Sequence, residues 1–265
     1  MTRIAITGAT GRMGRTLVQL VHEADDLTLT GATDRPDSAL LGQDIGALCG
    51  LGQVDVPVVD SLAKVEQADV VIDFTLPSAL ESHLTLCRQK GFSLVIGTTG
   101  LSADQKSAIA EAGQHIPLVF APNMSVGVTV LTQLIEKAAA ILGDDYDVEI
   151  VEMHHRHKVD APSGTALALG EAAARGLGRN LEECAIYGRE GAEGPRDRNT
   201  IGFATLRGGD VVGDHNVIFA ADGERIEIGH KASSRLTFAR GALRAARWLG
   251  NQSAGLYTMR NVLGL

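Results

Sequence analysis

The chain has 265 residues, enough for one large domain or two modest ones, and 45% of them are apolar, which suffices for an ordinary core. Its net charge of −8 argues against non-specific binding to nucleic acid or to an anionic membrane, since both need a basic face. The three cysteines, at 49, 87 and 184, form neither a close pair nor a metal spacing, and neither a signal peptide nor an apolar run of membrane length is read, so a reducing, cytoplasmic setting is expected.

Abundant glycine (31 residues) beside few aromatics (4%) suits an α/β enzyme. Arg3 to Thr7 reads as a short buried strand, Arg12 to Ala24 as a helix (Met13, Leu17, Leu20, Val21) and Leu27 to Asp34 as a second strand. The alternation continues with a strand over Val70–Thr75, a helix over Ser78–Lys90 and a strand over Ser93–Gly97. A helix over Ala103–Gln114 and a strand over Pro117–Ala121 follow. Alternating strands and helices predict a parallel sheet with right-handed crossovers, and the nearly all-apolar run VVIDF suits a strand covered on both faces.

The character changes after Asn123. Val126–Leu142 predicts a long apolar helix, Asp147–Met153 a strand and Gly164–Leu177 an Ala/Leu-rich helix. Residues 186–199, IYGREGAEGPRDRN, are charged and glycine-rich and read as a mobile surface loop. Strands at Thr200–Leu206, Val211–Ala220 and Arg225–His230 are joined by short turns, which predicts antiparallel pairing in a second, α+β unit. A last helix, Arg235–Leu249, is compatible with either unit.

Between the first strand and first helix lies Gly8-Ala9-Thr10-Gly11-Arg12-Met13-Gly14, a G-x-x-G-x-x-G variant of the dinucleotide fingerprint. Glycine is needed there because the backbone must turn sharply and approach a pyrophosphate, while the helix start offers free N–H groups and a positive dipole end. Asp34 closes the next strand, where a carboxylate accepts from a ribose 2′-hydroxyl and favours NAD. Arg35, with Arg12 nearby, suits a 2′-phosphate and favours NADP. Both cofactors therefore stay open. Gly97-Thr98-Thr99-Gly100 and Ala121-Pro122-Asn123-Met124 follow later strands, so they border the same crevice and are candidates to hold the nicotinamide end.

The segment Glu152–Thr165, EMHHRHKVDAPSGT, gathers His154, His155, Arg156, His157 and Lys158 in an acidic chain and runs into Ser163-Gly164-Thr165 at a helix start. Cations beside free helix amides suit a small, multiply anionic substrate, and a histidine helped by Lys158 suits protonation of the atom left electron-rich by hydride addition. The competing reading, a zinc site from His154, His157 and Asp160, is opposed by the interleaved Arg156 and Lys158. None of the three tyrosines opens a Tyr-x-x-x-Lys dyad, and no cysteine lies in the basic segment.

Glu-x-His-His-Arg-His-Lys-x-Asp-x-Pro-Ser-Gly-Thr-Ala, at 152–166, resembles the signature of the dihydrodipicolinate (4-hydroxy-tetrahydrodipicolinate) reductases of bacterial lysine and diaminopimelate synthesis. Supporting matches are Gly8–Gly14, Gly97–Gly100, Ala121–Ser125, Thr200–Gly202 and His230–Arg235, spread over nearly the whole chain. The resemblance implies a Rossmann-type nucleotide-binding domain, residues 1–125 and 236–265, and a smaller α+β substrate-binding and tetramerisation domain with a mixed sheet, residues 126–235. It implies NADH or NADPH as cofactor, held by Gly8–Met13, Asp34, Arg35, Gly97–Thr99 and Ala121–Met124. A cyclic dicarboxylate is the implied substrate, with His154 as proton donor and acceptor and Lys158 as second donor and substrate-binding cation. His155, Ser163, Gly164 and Thr165 would surround that substrate, no metal is implied, and the implied assembly is a homotetramer. Thr10, where some members have glycine, and Asp34, where some have glutamate, depart from the pattern. With cofactor and substrate in different halves, the halves must approach for hydride transfer. Two readings compete: a related reductase acting on another small dicarboxylate, and a non-catalytic NAD(P)-binding regulator.

Overall fold

A computed structural model describes residues 1–192 and 194–265 and resolves two compact units, Met1–Val126 with Leu236–Leu265, and Gly127–Arg235. The first opens with β1 (Thr2–Thr7), α1 (Arg12–His22), β2 (Leu27–Thr33), α2 (Ile45–Leu48) and β3 (Val58–Val59). It continues with β4 (Val70–Asp73), α3 (Leu80–Lys90), β5 (Ser93–Ile96), α4 (Ala103–Gly113) and β6 (Pro117–Phe120). The second holds nearly all of α5 (Val126–Leu142), then β7 (Asp147–His154), α6 (Gly164–Gly176), α7 (Leu181–Cys184), β8 (Ala185–Ile186), β9 (Ile201–Arg207), β10 (Gly213–Ala221) and β11 (Glu224–Ala232). The chain then returns to the first unit with α8 (Leu236–Leu249), β12 (Gly255–Tyr257) and α9 (Met259–Leu263).

The first sheet runs β12-β6-β5-β4-β1-β2-β3, all parallel. Its order reverses between β1 and β4, the switch point where open parallel sheets place ligands. Strand alternation feeds two cores. Ile4, Ile6, Ile72, Val95 and Val119 pack with Leu17 and Val18 of α1 and Ala242, Ala246 and Leu249 of α8. Ala5, Val71, Leu94, Ile96 and Leu118, one residue out of phase, pack with Leu84 of α3 and Ile109 of α4. The short edge strands β3 and β12 carry too little periodicity to be read from the sequence.

The second sheet runs β11-β10-β7-β9-β8. β10 pairs antiparallel with β11, as the short turn between them dictates. The expectation that β9 and β10 also pair is wrong, because β7 lies between them, antiparallel to β10 and parallel to β9. The parallel β7–β9 pair requires a crossover, which α6 supplies. Along β7 every second residue is buried: Val148 and Ile150 join the core with Leu169 and Phe203, and the same face continues to Glu152 and His154.

Two further expectations need correction. The 186–199 loop is anchored at Arg196, whose guanidinium bonds Asp147 at 2.7 Å, Glu149 at 2.9 Å and the carbonyls of Val148 and Thr200 at 3.0 and 2.7 Å. Glu193 within that loop lies outside the described residues. The stretch Val126–Asp145 is long and apolar enough by length and composition to cross a membrane, contrary to the reading that no run approaches that length. Within its unit, however, Leu131, Ile135 and Ala139 face the core, and Glu136 pairs with Arg175 of α6 at 3.2 Å.

Candidate functional site

In the first unit the chain leaves β1 through Gly8, whose φ of +60° belongs to the left-handed region where side chains strain. A Cβ on Gly14 would stand 2.2 Å from the Gly8 carbonyl oxygen, so α1 lies directly on the turn. Gly11 caps α1 without a side chain, which leaves the first-turn N–H groups with no side-chain acceptor. The Arg15 guanidinium braces this turn from behind, donating to the carbonyls of Thr10 at 2.8 Å and Leu48 at 2.6 Å. Ala9 and Gly14 are buried, Met13 is half-buried, and Gly11 and Arg12 are exposed.

Asp34 follows β2 and is half-buried. Burial alone would push its carboxyl up, but hydrogen bonds from the Thr10 hydroxyl, the Arg35 N–H (2.9 Å) and the Ser38 hydroxyl (2.8 Å) outweigh this and hold it below its usual range. Thr10 therefore ties the glycine turn to Asp34. Arg35 is exposed, with Nε 3.1 Å from Asp37. Gly97 and Ala121 sit at the ends of β5 and β6, their N–H groups donating to the carbonyls of Asp73 and Ile96 in neighbouring strands. The structure thus brings the four predicted cofactor segments, after β1, β2, β5 and β6, to one end of one sheet. Thr98 is buried with no partner for its hydroxyl among the described residues; Met124 is buried, Asn123 half-buried, and Thr99 and Pro122 are exposed.

One cluster at this end escaped the sequence reading. Asp73, fully buried at the end of β4, accepts from the Thr75 N–H (2.8 Å) and hydroxyl (2.6 Å) and stands 2.7 Å from His83 Nδ1 of α3. Burial would raise its pKa, yet His83 and Thr75 together hold it below the usual range. A Cβ on Gly8 would meet the Thr75 methyl at 3.0 Å, so this loop packs against the glycine turn. No sequence signal marks it, because a carboxylate ending an apolar strand looks like an ordinary exposed strand end.

A dinucleotide fits these residues. The crowded glycine turn leaves backbone where a side chain would otherwise stand, α1 begins without a side-chain cap, and the buried Thr98 hydroxyl lacks a partner among the described residues.

In the second unit the basic segment leaves β7 at His154 and reaches α6 through a cis Ala161–Pro162 bond. Glu152, 1% exposed, is the hub. Its Oε2 lies 2.6 Å from His154 Nδ1, its Oε1 accepts the Ser163 N–H at 3.0 Å, and Arg207 at the end of β9 grips both oxygens at 2.8 and 3.0 Å. Burial would raise this carboxyl's pKa, but Arg207, His154 and the Ser163 amide outweigh that and lower it. A carboxylate at Nδ1 makes that nitrogen the protonated one and leaves His154 Nε2 without a protein partner among the described residues. Burial, with Lys158 and Arg207, lowers the His154 pKa, and Glu152 opposes the shift.

Ser163 caps α6: its hydroxyl accepts the Ala166 N–H at 3.1 Å and lies 2.9 Å from His215 Nε2 on β10. His215 stands edge-on to His154 with ring centroids 5.0 Å apart, and burial pushes its pKa down to about 4. Lys158 pairs with Asp160 at 2.8 Å, and the exposed Gly164 offers its amide to the same carboxylate. Thr165, half-buried, lies in the first turn of α6. His155 is half-buried with its N–H bonded to the Val211 carbonyl at 2.7 Å, while its Nδ1 is buried without a partner among the described residues. The structure therefore joins His154 and Ser163 through Glu152, holds Lys158 to Asp160, and leaves His157 exposed. Among the described residues no group of three His, Cys, Asp or Glu side chains is close enough to hold a metal. Glu152 shares a strand face with His154 two residues on, a period-2 signal readable in sequence; Arg207 and His215 arrive from strands far along the chain and leave none.

Profiles described as dihydrodipicolinate reductase, N-terminus and C-terminus, match residues 2–124 and 127–263. A 4-hydroxy-tetrahydrodipicolinate reductase from Pseudomonas fluorescens is 59% identical over 267 residues, covering 100% of both chains. Among solved structures, a dipicolinate-bound dihydrodipicolinate reductase from a Paenisporosarcina species superposes with a TM-score of 0.75 at 25% identity, covering 97% of each chain. GenD2 from gentamicin A biosynthesis, solved with NAD, shares the fold alone, with a TM-score of 0.57 at 13% identity over 99% of this chain and 90% of that one.

Proposed function

The chain belongs to the dihydrodipicolinate reductase family, and from that premise we infer that it reduces 4-hydroxy-tetrahydrodipicolinate, through dihydrodipicolinate, to tetrahydrodipicolinate in the diaminopimelate route to lysine. NADH or NADPH, when bound, supplies the hydride. The uncapped start of α1 and the turn Gly8–Met13 take the pyrophosphate, Asp34 and Arg35 take the adenosine ribose, and Gly97–Thr99 with Ala121–Met124 border the nicotinamide.

The observation that carries the reading is the state of His154. Its Nδ1 is committed to a buried carboxylate, its Nε2 has no protein partner among the described residues, and it neighbours Lys158 and the head of α6. In this reading His154 delivers through Nε2 the proton that the reduced ring needs. Lys158 holds a substrate carboxylate as a point charge and acts as second proton donor, with His155, Ser163, Gly164 and Thr165 around the same substrate.

Homotetramer assembly through the second sheet, and a cytoplasmic location, complete the proposal. Leu206 of β9, 50% exposed and level with Met153 on the sheet face away from the core, suits a covered face, and light scattering of the purified protein checks the assembly. The three cysteines are unpaired, as in a reducing compartment.

The test is oxidation of NADH and NADPH by the purified chain, with substrate made fresh from pyruvate and aspartate semialdehyde by a condensing enzyme. Wild type turns over, and His154→Ala loses on the order of 10²- to 10⁴-fold in kcat with cofactor affinity kept. No turnover with either cofactor refutes the substrate, and full turnover by His154→Ala refutes the proton donor.

A further inference from the structure

The role given to His154 above is the premise for a second residue. We propose that Glu152, gripped by Arg207, is a positioning residue of the reaction: it fixes the tautomer and direction of His154 and ties that imidazole to the head of α6, so that proton donor and carboxylate cradle are set by one side chain.

The geometry carries this in three steps. Glu152 is buried yet charged, a costly state unless its lone pairs are used, and four donors use them: His154 Nδ1, the Ser163 amide and two guanidinium N–H groups. Only a carboxylate serves all four, since an amide of the same shape presents one oxygen and turns two protons toward donors. Arg207 is held independently, donating to the carbonyls of Leu206 at 2.7 Å and Asp160 at 2.5 Å, so the clamp also reaches the loop that carries Lys158.

The network also tunes charge. The charged or titratable groups facing His154 are Glu152 on its own strand, Arg207 from β9, His215 from β10 and Lys158 from the loop beyond β7. Glu152 stabilises the imidazolium, whereas Arg207 opposes it. Removing either therefore shifts His154 in opposite directions. A group that merely held the fold together would not do that.

The experiment pairs Glu152→Gln with Arg207→Met. The His154 imidazole is titrated by ¹⁵N NMR in the full-length protein without substrate, and the pH profile of kcat/KM is recorded alongside. Glu152→Gln is expected to lower the His154 pKa, to scramble its tautomer and to cut kcat on the order of a hundredfold. Arg207→Met is expected to raise the His154 pKa and to leave Nδ1 protonated. The limb of the rate profile that reports His154 follows in each case. Shifts in the same direction, or none, overturn the proposal. If one variant fails to fold, the sign of the other decides. The NMR titration needs no turnover, so inactivity of the wild type would refute the assigned reaction and leave this inference separately testable.

Discussion

Replacing Gly14 by alanine sets two opposed effects against each other. Gly14 lies in the first turns of α1, and alanine there gains about 1 kcal/mol of helix propensity. Its methyl, however, would stand 2.2 Å from the Gly8 carbonyl oxygen and 2.6 and 2.7 Å from the Ala9 backbone, all rigid atoms. Against ordinary contacts of about 3.5 Å the turn and helix must separate by on the order of 1 Å. Overpacking of that kind costs about 1–3 kcal/mol, so the clash wins. With the propensity gain of about 1 kcal/mol subtracted, the net loss is up to about 2 kcal/mol, and at about 2–4 °C per kcal/mol for a chain of this size Tm falls by up to about 8 °C. A displacement near 1 Å in a positioned backbone also costs on the order of 10²-fold in function. Gly11→Ala is the control for stability alone, since its methyl meets the same oxygen only at 3.2 Å and its φ of −72° suits any residue. Thermal unfolding compares the two variants, and fluorescence titration with NADH compares Gly14→Ala with wild type. Gly14→Ala matching wild type in Tm and affinity, or exceeding it in Tm, would refute the account of the turn.

Asp34→Asn keeps shape but removes charge; it is expected to weaken NADH use roughly ten- to hundredfold relative to NADPH, and an unchanged ratio of the two kcat/KM values rejects Asp34 as the ribose acceptor. His215 binds its proton more weakly folded, at about 4, than unfolded, near 6.5, so the unfolded state takes up protons first as pH falls. Its contribution is fully present above about pH 6.5 and is lost on the way down to about pH 4, amounting to roughly 3 kcal/mol. The urea midpoint should therefore drop between pH 7 and 5 and drop less in His215→Gln, and equal slopes in the two proteins would discard this origin.

The nucleotide half was legible because its signals are local. A strand, a spaced-glycine turn and a helix follow one another within Thr2–His22, and out-of-phase apolar residues mark each strand as covered on both faces. The second half was legible as elements but not as a sheet. Short turns suggested a meander, yet β7, some fifty residues earlier in the chain, pairs between β9 and β10, and turn length says nothing about a strand inserted from elsewhere. The site divides in the same way. The 152–166 run displays its histidines, lysine and capping serine in sequence, whereas Arg207 and His215 reach it only through β9 and β10, and Asp73 meets His83 only because α3 folds back over β4.

The return of α8 and β12 to the first sheet has a consequence for biosynthesis. Ala242, Ala246 and Leu249 complete one face of that sheet, β12 covers the edge of β6, and Gly241 sits so close to the Met124 carbonyl that any side chain would collide with it. A ribosome that has released only the first 126 residues has therefore produced a sheet with one face partly bare and one edge unpaired. The second unit, uninterrupted from Gly127 to Arg235, becomes complete earlier in translation than the unit that precedes it. Until the last thirty residues emerge, the nascent first unit is the part of the chain in need of protection, and premature termination near residue 235 should yield an aggregating product rather than a smaller nucleotide-binding protein.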